Sequence, residues 1–248
     1  MDRSLLFSAL QWFKKRYPKL SALLAPRFST ERFTGLPLTL LSMGILYGVA
    51  QLSGLVEDYI NQDPIIAVDH RLESVFFLLR SPARTQFFSI VTFFGDAGVV
   101  LTIAGTLSVI LFFRQRWVCI LGLWMSIVCS ESVTLLGKVF FQRARPTNAL
   151  ALIQETSYSF PSGHATSAVA LYGFIAYVLV RFEKSWPQRI FVLVVTIAII
   201  GLIDVSRLYL GVHYLSDVLA GDLVGWIALL FSISVVEWLT YAKKYLSS

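Results

Sequence analysis

Long apolar blocks constrain this chain before any other feature does. A helix needs about 20 apolar residues to cross the hydrocarbon core of a bilayer, and Leu36–Val56 supplies that length without a charged side chain. Ala97–Phe113 is a second block, extendable back past Asp96 through Phe87–Phe94. Trp117–Gly137 is a third, with Glu131 as its one charge, and His164–Val180 is a shorter fourth. Ile190–Leu210 carries Asp204 and Arg207 near its end, and Val218–Val236 is interrupted only by Asp222. Composition agrees: 56% of residues are apolar, 15% are charged, and the mean hydropathy is +0.69. A soluble domain runs at about a quarter charged. Disordered, fibrous and disulfide-stapled chains are excluded by the same figures. The expected fold is all-α: a polytopic bundle of six transmembrane helices. Cys119 and Cys129 fall inside one apolar block and read as small buried apolar residues, with neither metal-ligand spacing nor a disulfide framework.

Orientation follows from the loop cations. Arg3, Lys14, Lys15, Arg16, Lys19, Arg27 and Arg32 precede the first block; Arg114 and Arg116, then Arg181, Lys184 and Arg189, then Lys243 and Lys244 follow on the same side. That side holds 14 of the 21 basic residues. Opposite it, Arg71, Arg80 and Arg84 are diluted by Glu57, Asp58, Asp63, Asp69 and Glu73. Both termini are therefore expected in the cytoplasm, and the net charge of +6 is chiefly this signal; no continuous basic face suggests nucleic acid. The basic run interrupts any signal-peptide core. Residues 1–34 read either as a solvated basic leader or as an interfacial helix built on Leu5, Leu6, Leu10, Trp12 and Phe13. One domain over 35–240 and a short tail over 241–248 complete the expected organisation.

With the termini inside, the segments near 138–163 and 204–217 share the outer face. Lys138 and Arg145 stand seven apart, so a continuing helix would hold both on one face about 10 Å apart, although Pro146 disfavours helix at Arg145. Arg offers a planar fork for phosphate oxygens and Lys a point charge; either alone would read equally as a headgroup anchor. Pro161-Ser162-Gly163-His164 opens the fourth block. There Ser162 is a natural N-cap, Gly163 leaves the first-turn amides uncovered, and a helix N-terminus suits an anion. His213 and Asp217 lie at i and i+4 on one helical face, where the carboxylate can take the imidazole Nδ1–H and leave Nε2 nucleophilic. Arg207 adds a third cation. His70, in the acidic outer segment, reads as solvated.

Two histidines, an aspartate, three cations and a helix N-terminus make a seat for a tetrahedral anion. In this reading His213 attacks phosphorus and His164 protonates the leaving oxygen. A two-His, one-carboxylate iron site would leave Lys138, Arg145 and Arg207 without a role, so neither metal nor cofactor is expected.

Lys138-x6-Arg145-Pro146, Pro161-Ser162-Gly163-His164 and Ser206-Arg207-x5-His213-x3-Asp217 resemble the three signature motifs of the type-2 phosphatidic acid phosphatase superfamily, in order and at its spacings. That superfamily includes lipid phosphate phosphatases, bacterial acid phosphatases and vanadium haloperoxidases. The resemblance implies a metal-independent phosphohistidine mechanism with His213 as nucleophile, Asp217 as its partner and His164 as general acid. It implies that Lys138, Arg145, Ser162, Gly163 and Arg207 hold phosphate. It further implies a lipid phosphate or pyrophosphate substrate at the outer face of the inner membrane: undecaprenyl pyrophosphate, phosphatidylglycerol phosphate or phosphatidic acid. Transfer to a second lipid through the same site is an alternative, and an anion or lipid transporter is another from a different class. Asp204 is expected to pair with Arg207, because ionisable groups inside spans are costly unless matched.

Overall fold

The computed structural model describes residues 33–62, 64–146, 156–183 and 185–245, with a few positions before them. The N-terminal segment expected to be interfacial lies almost wholly outside the described residues. Eight helices are described: α1 (Leu36–Asn61), α2 (Pro64–Leu78), α3 (Pro82–Phe93), α4 (Ala97–Phe113), α5 (Trp117–Phe141), α6 (Gly163–Phe182), α7 (Trp186–Tyr209) and α8 (Leu215–Tyr245). No strand occurs among the described residues. Five of these helices are long and apolar enough to span a bilayer, and α3 with α4, bent by 46° at their junction, meet the same length and composition as a pair. The block reaching back past Asp96 is thus real but broken. Asp96 caps α4 there, its Oδ1 accepting the Gly98 N–H at 2.8 Å.

Local chemistry sets most of the ends. Proline opens or nearly opens α1, α2, α3 and α7, where a missing N–H costs nothing. Gln62 and Gln142 close α1 and α5 in the left-handed region, at φ 59° and 45°. The acidic segment over 57–85 is mostly helical: α1 runs on to Asn61, α2 follows almost at once, and α3 begins at Pro82.

α8 is the hub, packed against α6, α5 and α1, with α2 touching its first turn. The core between them is built from Leu123 and Ile127 of α5, Leu171 and Phe174 of α6, and Val236 of α8. Leu46, Phe113, Leu136, Phe140 and Ile197 point outward, as a lipid-facing surface requires. Lipid is as apolar as leucine, so close helix contact in such a bundle rests on small residues that let backbones meet. Gly221 and Gly225 are that stripe. A Cβ on Gly221 would stand 2.5 Å from the Ser162 carbonyl oxygen, and one on Gly225 would stand 2.8 Å from that of Thr166. Thr166 Oγ1 bonds the Gly221 carbonyl at 3.1 Å and receives Thr134 Oγ1 at 3.1 Å, tying α6, α8 and α5 together.

A methyl at Gly221 would meet the Ser162 carbonyl oxygen first, with Ala165 Cβ and Thr166 Oγ1 at 3.0 and 3.1 Å beside it. Gly221→Ala is expected to lower thermal stability in detergent by about 1–3 kcal/mol through overpacking. Gly105→Ala, with nothing within 4 Å of its added carbon, is expected to be neutral or stabilising by up to about 1 kcal/mol. Equal melting shifts in the two variants would contradict this packing.

Candidate active site

Four helix ends meet at one face: the C-termini of α5 and α7 and the N-termini of α6 and α8. The tight turn from α7 to α8 carries Arg207 and His213 together. The Val212 N–H donates to the Arg207 carbonyl at 3.3 Å, and Gly211 takes the positive φ of 72° that the turn needs. Ser162, at the start of α6, donates its N–H to the Asp217 carbonyl at 2.9 Å. The close approach at Gly221 thus holds the second and third motifs in register.

His213 is buried between two partners. Its Nδ1 lies 3.4 Å from Asp217 Oδ2, and Arg145 Nη1 lies 3.2 Å from its Nε2. A guanidinium only donates, so Nε2 presents its lone pair there and Nδ1 carries the proton toward Asp217. Arg145 comes from the segment after α5, since the helix stops at Phe141 and does not run on to carry Lys138 and Arg145 on one face. The two cations converge all the same. Lys138 Nζ donates to Ser157 Oγ at 3.1 Å and to the Tyr158 carbonyl at 2.8 Å. Arg145 donates to the Ser157 and Val212 carbonyls at 2.7 and 2.8 Å. Carbonyls and a hydroxyl therefore aim both charges.

A second wall comes from the break between α3 and α4. Arg207, fully buried, donates from Nη1 to Thr92 Oγ1 at 2.7 Å. His164, half buried in the first turn of α6, packs against Gly95, where an added Cβ would stand 3.2 Å from its own. Gly163 is not demanded by packing: a Cβ there would meet only Thr134 Cγ2, at 3.9 Å. Ser162 occupies the N-cap without bonding the helix amides through its side chain, and its buried Oγ has no hydrogen-bond partner among the described residues. A partnerless hydroxyl beside first-turn amides with no side-chain cap suits an anion seat.

The expected Asp204–Arg207 pair does not form. Arg207 turns to Thr92, while Asp204 and Asp222 line one cavity of about 480 Å³ with Tyr47, Gly201 and Trp226. The spacing of three residues carries Asp204 away because the guanidinium finds a hydroxyl on the bent span. Glu131 is bonded by the Ser167 hydroxyl of α6. His70 is exposed and lies 3.4 Å from Glu73, in keeping with a solvated residue. Among the described residues, no group of three or more His, Cys, Asp or Glu is placed to hold a metal ion.

Three residues of the cluster escape the motif reading. Arg143 is buried and bridges two acids, donating to Asp217 Oδ1 at 2.6 Å and to Asp69 Oδ2 at 2.8 Å. It also donates to Ser216 Oγ at 2.6 Å. Its Cζ lies 4.7 and 4.4 Å from the Tyr59 and Tyr214 ring centres. Burial works against its charge, yet Asp217 and Asp69 together hold the guanidinium above its ordinary range. Burial, helped by the charge of Glu73, pushes the Tyr214 hydroxyl up to about 12. Arg143 sits inside the spacer of the first motif, and its position two before Arg145 was the one available signal. Removing it would leave Asp69 and Asp217 buried face to face. Arg143→Ala is accordingly expected to cost about 3–5 kcal/mol of stability, measured as thermal unfolding in detergent; a shift as small as that of a surface arginine would contradict the bridge.

Comparison with known proteins places this geometry. The sequence model of the PAP2 superfamily matches residues 117–241, which contain all three motifs. Phosphatidylglycerophosphatase B of Bacillus subtilis is 32% identical over 67% of this chain and 82% of its own length. Lipid A 4'-phosphatase of Porphyromonas gingivalis is 28% identical over 41% of the chain and 43% of its own. Among solved structures, the transmembrane PAP2 type phosphatidylglycerolphosphate phosphatase from Bacillus subtilis shares the fold with a TM-score of 0.68 at 24% identity, over 83% of this chain and 96% of that one. Aquifex aeolicus LpxE matches with a TM-score of 0.55 at 26% identity, over 67% and 94%. With the family match, a relative of this closeness and a shared helical bundle, the chain belongs to the PAP2 superfamily, in its branch of membrane lipid phosphatases.

Proposed function

We propose that this protein removes a phosphate from a membrane lipid through a phosphohistidine formed on His213, with its site at the outer membrane–water boundary. The observation that carries the reading is the placement of His213, with Asp217 at Nδ1 and Arg145 beside Nε2. That arrangement selects the nucleophilic tautomer and sets a phosphate-binding fork next to the attacking atom.

In the first step Nε2 bonds phosphorus while the bond from phosphorus to the lipid oxygen breaks. The departing oxygen keeps the electron pair and takes a proton from His164. In the second step water attacks the phosphohistidine, His164 accepts its proton, and His213 and inorganic phosphate are released. Charge on the transferring oxygens is met by Lys138, Arg145 and Arg207, by the Ser162 hydroxyl and by the amides at Gly163 and His164. The reaction needs no metal in this account. Phosphatidylglycerol phosphate is the first substrate to consider, given the name of the Bacillus subtilis relative, with undecaprenyl pyrophosphate and phosphatidic acid as the others. The bias of loop cations toward one side supports cytoplasmic termini and an outward-facing site in an inner membrane.

Detergent-purified protein in excess EDTA is expected to release phosphate from at least one of these three lipids. His213→Ala is expected to fall to about a thousandth of that rate or lower, and acid-labile, base-stable phosphoprotein trapped during turnover is expected only in the intact enzyme. Turnover that survived in His213→Ala would overturn the mechanism, and activity abolished by EDTA would overturn its metal independence.

A further inference from the structure

We propose that Asp69 is a positioning residue for His213, acting as a fixed negative charge relayed through Arg143 and Asp217; the proposal rests on the phosphohistidine reading above. Asp217 is not a free counter-ion. Its Oδ1 takes Arg143 Nη1 at 2.6 Å, and its Oδ2, besides facing His213, accepts the Tyr214 N–H at 2.9 Å. A carboxylate so tightly bound to a guanidinium is close to neutral as seen from the imidazole. When Nε2 bonds phosphorus, the proton on Nδ1 stays in place and the ring gains a positive charge. A neutral Asp217–Arg143 pair would offer that charge little.

Asp69 alters the balance. Its Oδ2 accepts the other arm of Arg143 at 2.8 Å, so two carboxylates and one guanidinium leave a net charge of about −1 beside His213. Asp69 is 1% exposed and Arg143 is 7% exposed, so water and salt screen this charge weakly. Its position is fixed from a second side, because the Ser216 N–H and hydroxyl donate to Asp69 at 3.0 and 2.5 Å. Ser216 adjoins Asp217, so α2 grips the first turn of α8 at the residue that faces the nucleophile. An acid that served only to hold α2 would need neither the guanidinium nor this burial.

The test separates charge from bracing. Asp69→Asn keeps the shape and sets the net charge of the trio to zero; kcat is expected to fall tenfold to about a hundredfold, with KM changed by less than about twofold. Ser216→Ala removes an anchor of Asp69 without touching charge and is expected to lose several-fold less. The double variant Asp69→Asn/Arg143→Gln loses the brace but restores the net charge, and it is expected to recover part of the kcat lost in Asp69→Asn. Wild-type kcat in folded Asp69→Asn would overturn the proposal, as would a double variant no better than the single one. Should Asp69→Asn not fold, a double variant within about tenfold of wild type supports the charge reading, and a larger loss overturns it. Normal Asp69 variants alongside an inert His213→Ala would sink the relay alone. An active His213→Ala would sink the phosphohistidine reading itself.

Discussion

The backbone contact between α6 and α8 at Gly221 is the constraint on which the rest of this structure depends. A membrane bundle gains little from driving apolar side chains together, because lipid already solvates them. Position must come from surfaces that fit, and here the fit is close enough that a single added carbon would overlap the Ser162 carbonyl. One turn above it, the Ser162 amide meets the Asp217 carbonyl. The start of the helix that presents His164 is thereby locked to the start of the helix that carries Asp217 through the backbone itself.

On that frame the polar groups fall into two sets with different electrostatics. Lys138 and Arg145 are aimed by carbonyls and hydroxyls, partners that phosphate oxygens can replace. Arg143 is consumed by acids on both sides, so its charge is internal to the fold. Three cations within a few residues of one another thus do two kinds of work, and the distinction lies in what accepts their hydrogen bonds. Exchanging a carbonyl partner for phosphate costs little, whereas breaking a buried ion pair costs several kcal/mol.

The apolar blocks made the helical, membrane-spanning architecture readable, because span length is dictated by bilayer thickness and by nothing subtler. His213, Asp217, Ser162, Lys138 and Arg145 were readable because i,i+4 spacing, an N-cap and a proline-ended helix are local signals. Asp69 was not. Its partners Arg143 and Ser216 lie 74 and 147 residues away, and an aspartate in an acidic segment between spans looks like every other solvated acid. The Asp204–Arg207 pair illustrates the opposite error: adjacency in sequence suggested a bond that a bend in another helix redirected. The break at Phe94–Asp96 could be placed from Asp96, but its consequence for Arg207 and His164 depends on packing angles that no local pattern records.

The acidic segment around α2 then has a physical reason to be helical. A polar cluster at a membrane boundary must be closed against both lipid and bulk water if buried charges are to act at short range. α2 does this with two attachments. Asp69 ties it to Arg143 and Ser216. Beyond its far end, at the cap of α3, the Ser81 N–H donates to the Tyr209 hydroxyl at 3.0 Å, and Phe76 of α2 packs on the cluster of Tyr209, Leu210 and Val212. Val75, Phe77 and Leu78 remain exposed on α2, a surface suited to a lipid boundary. A loop of the same length would leave its backbone amides and carbonyls competing for the very groups that orient Arg143. A helix satisfies its own backbone and delivers one carboxylate.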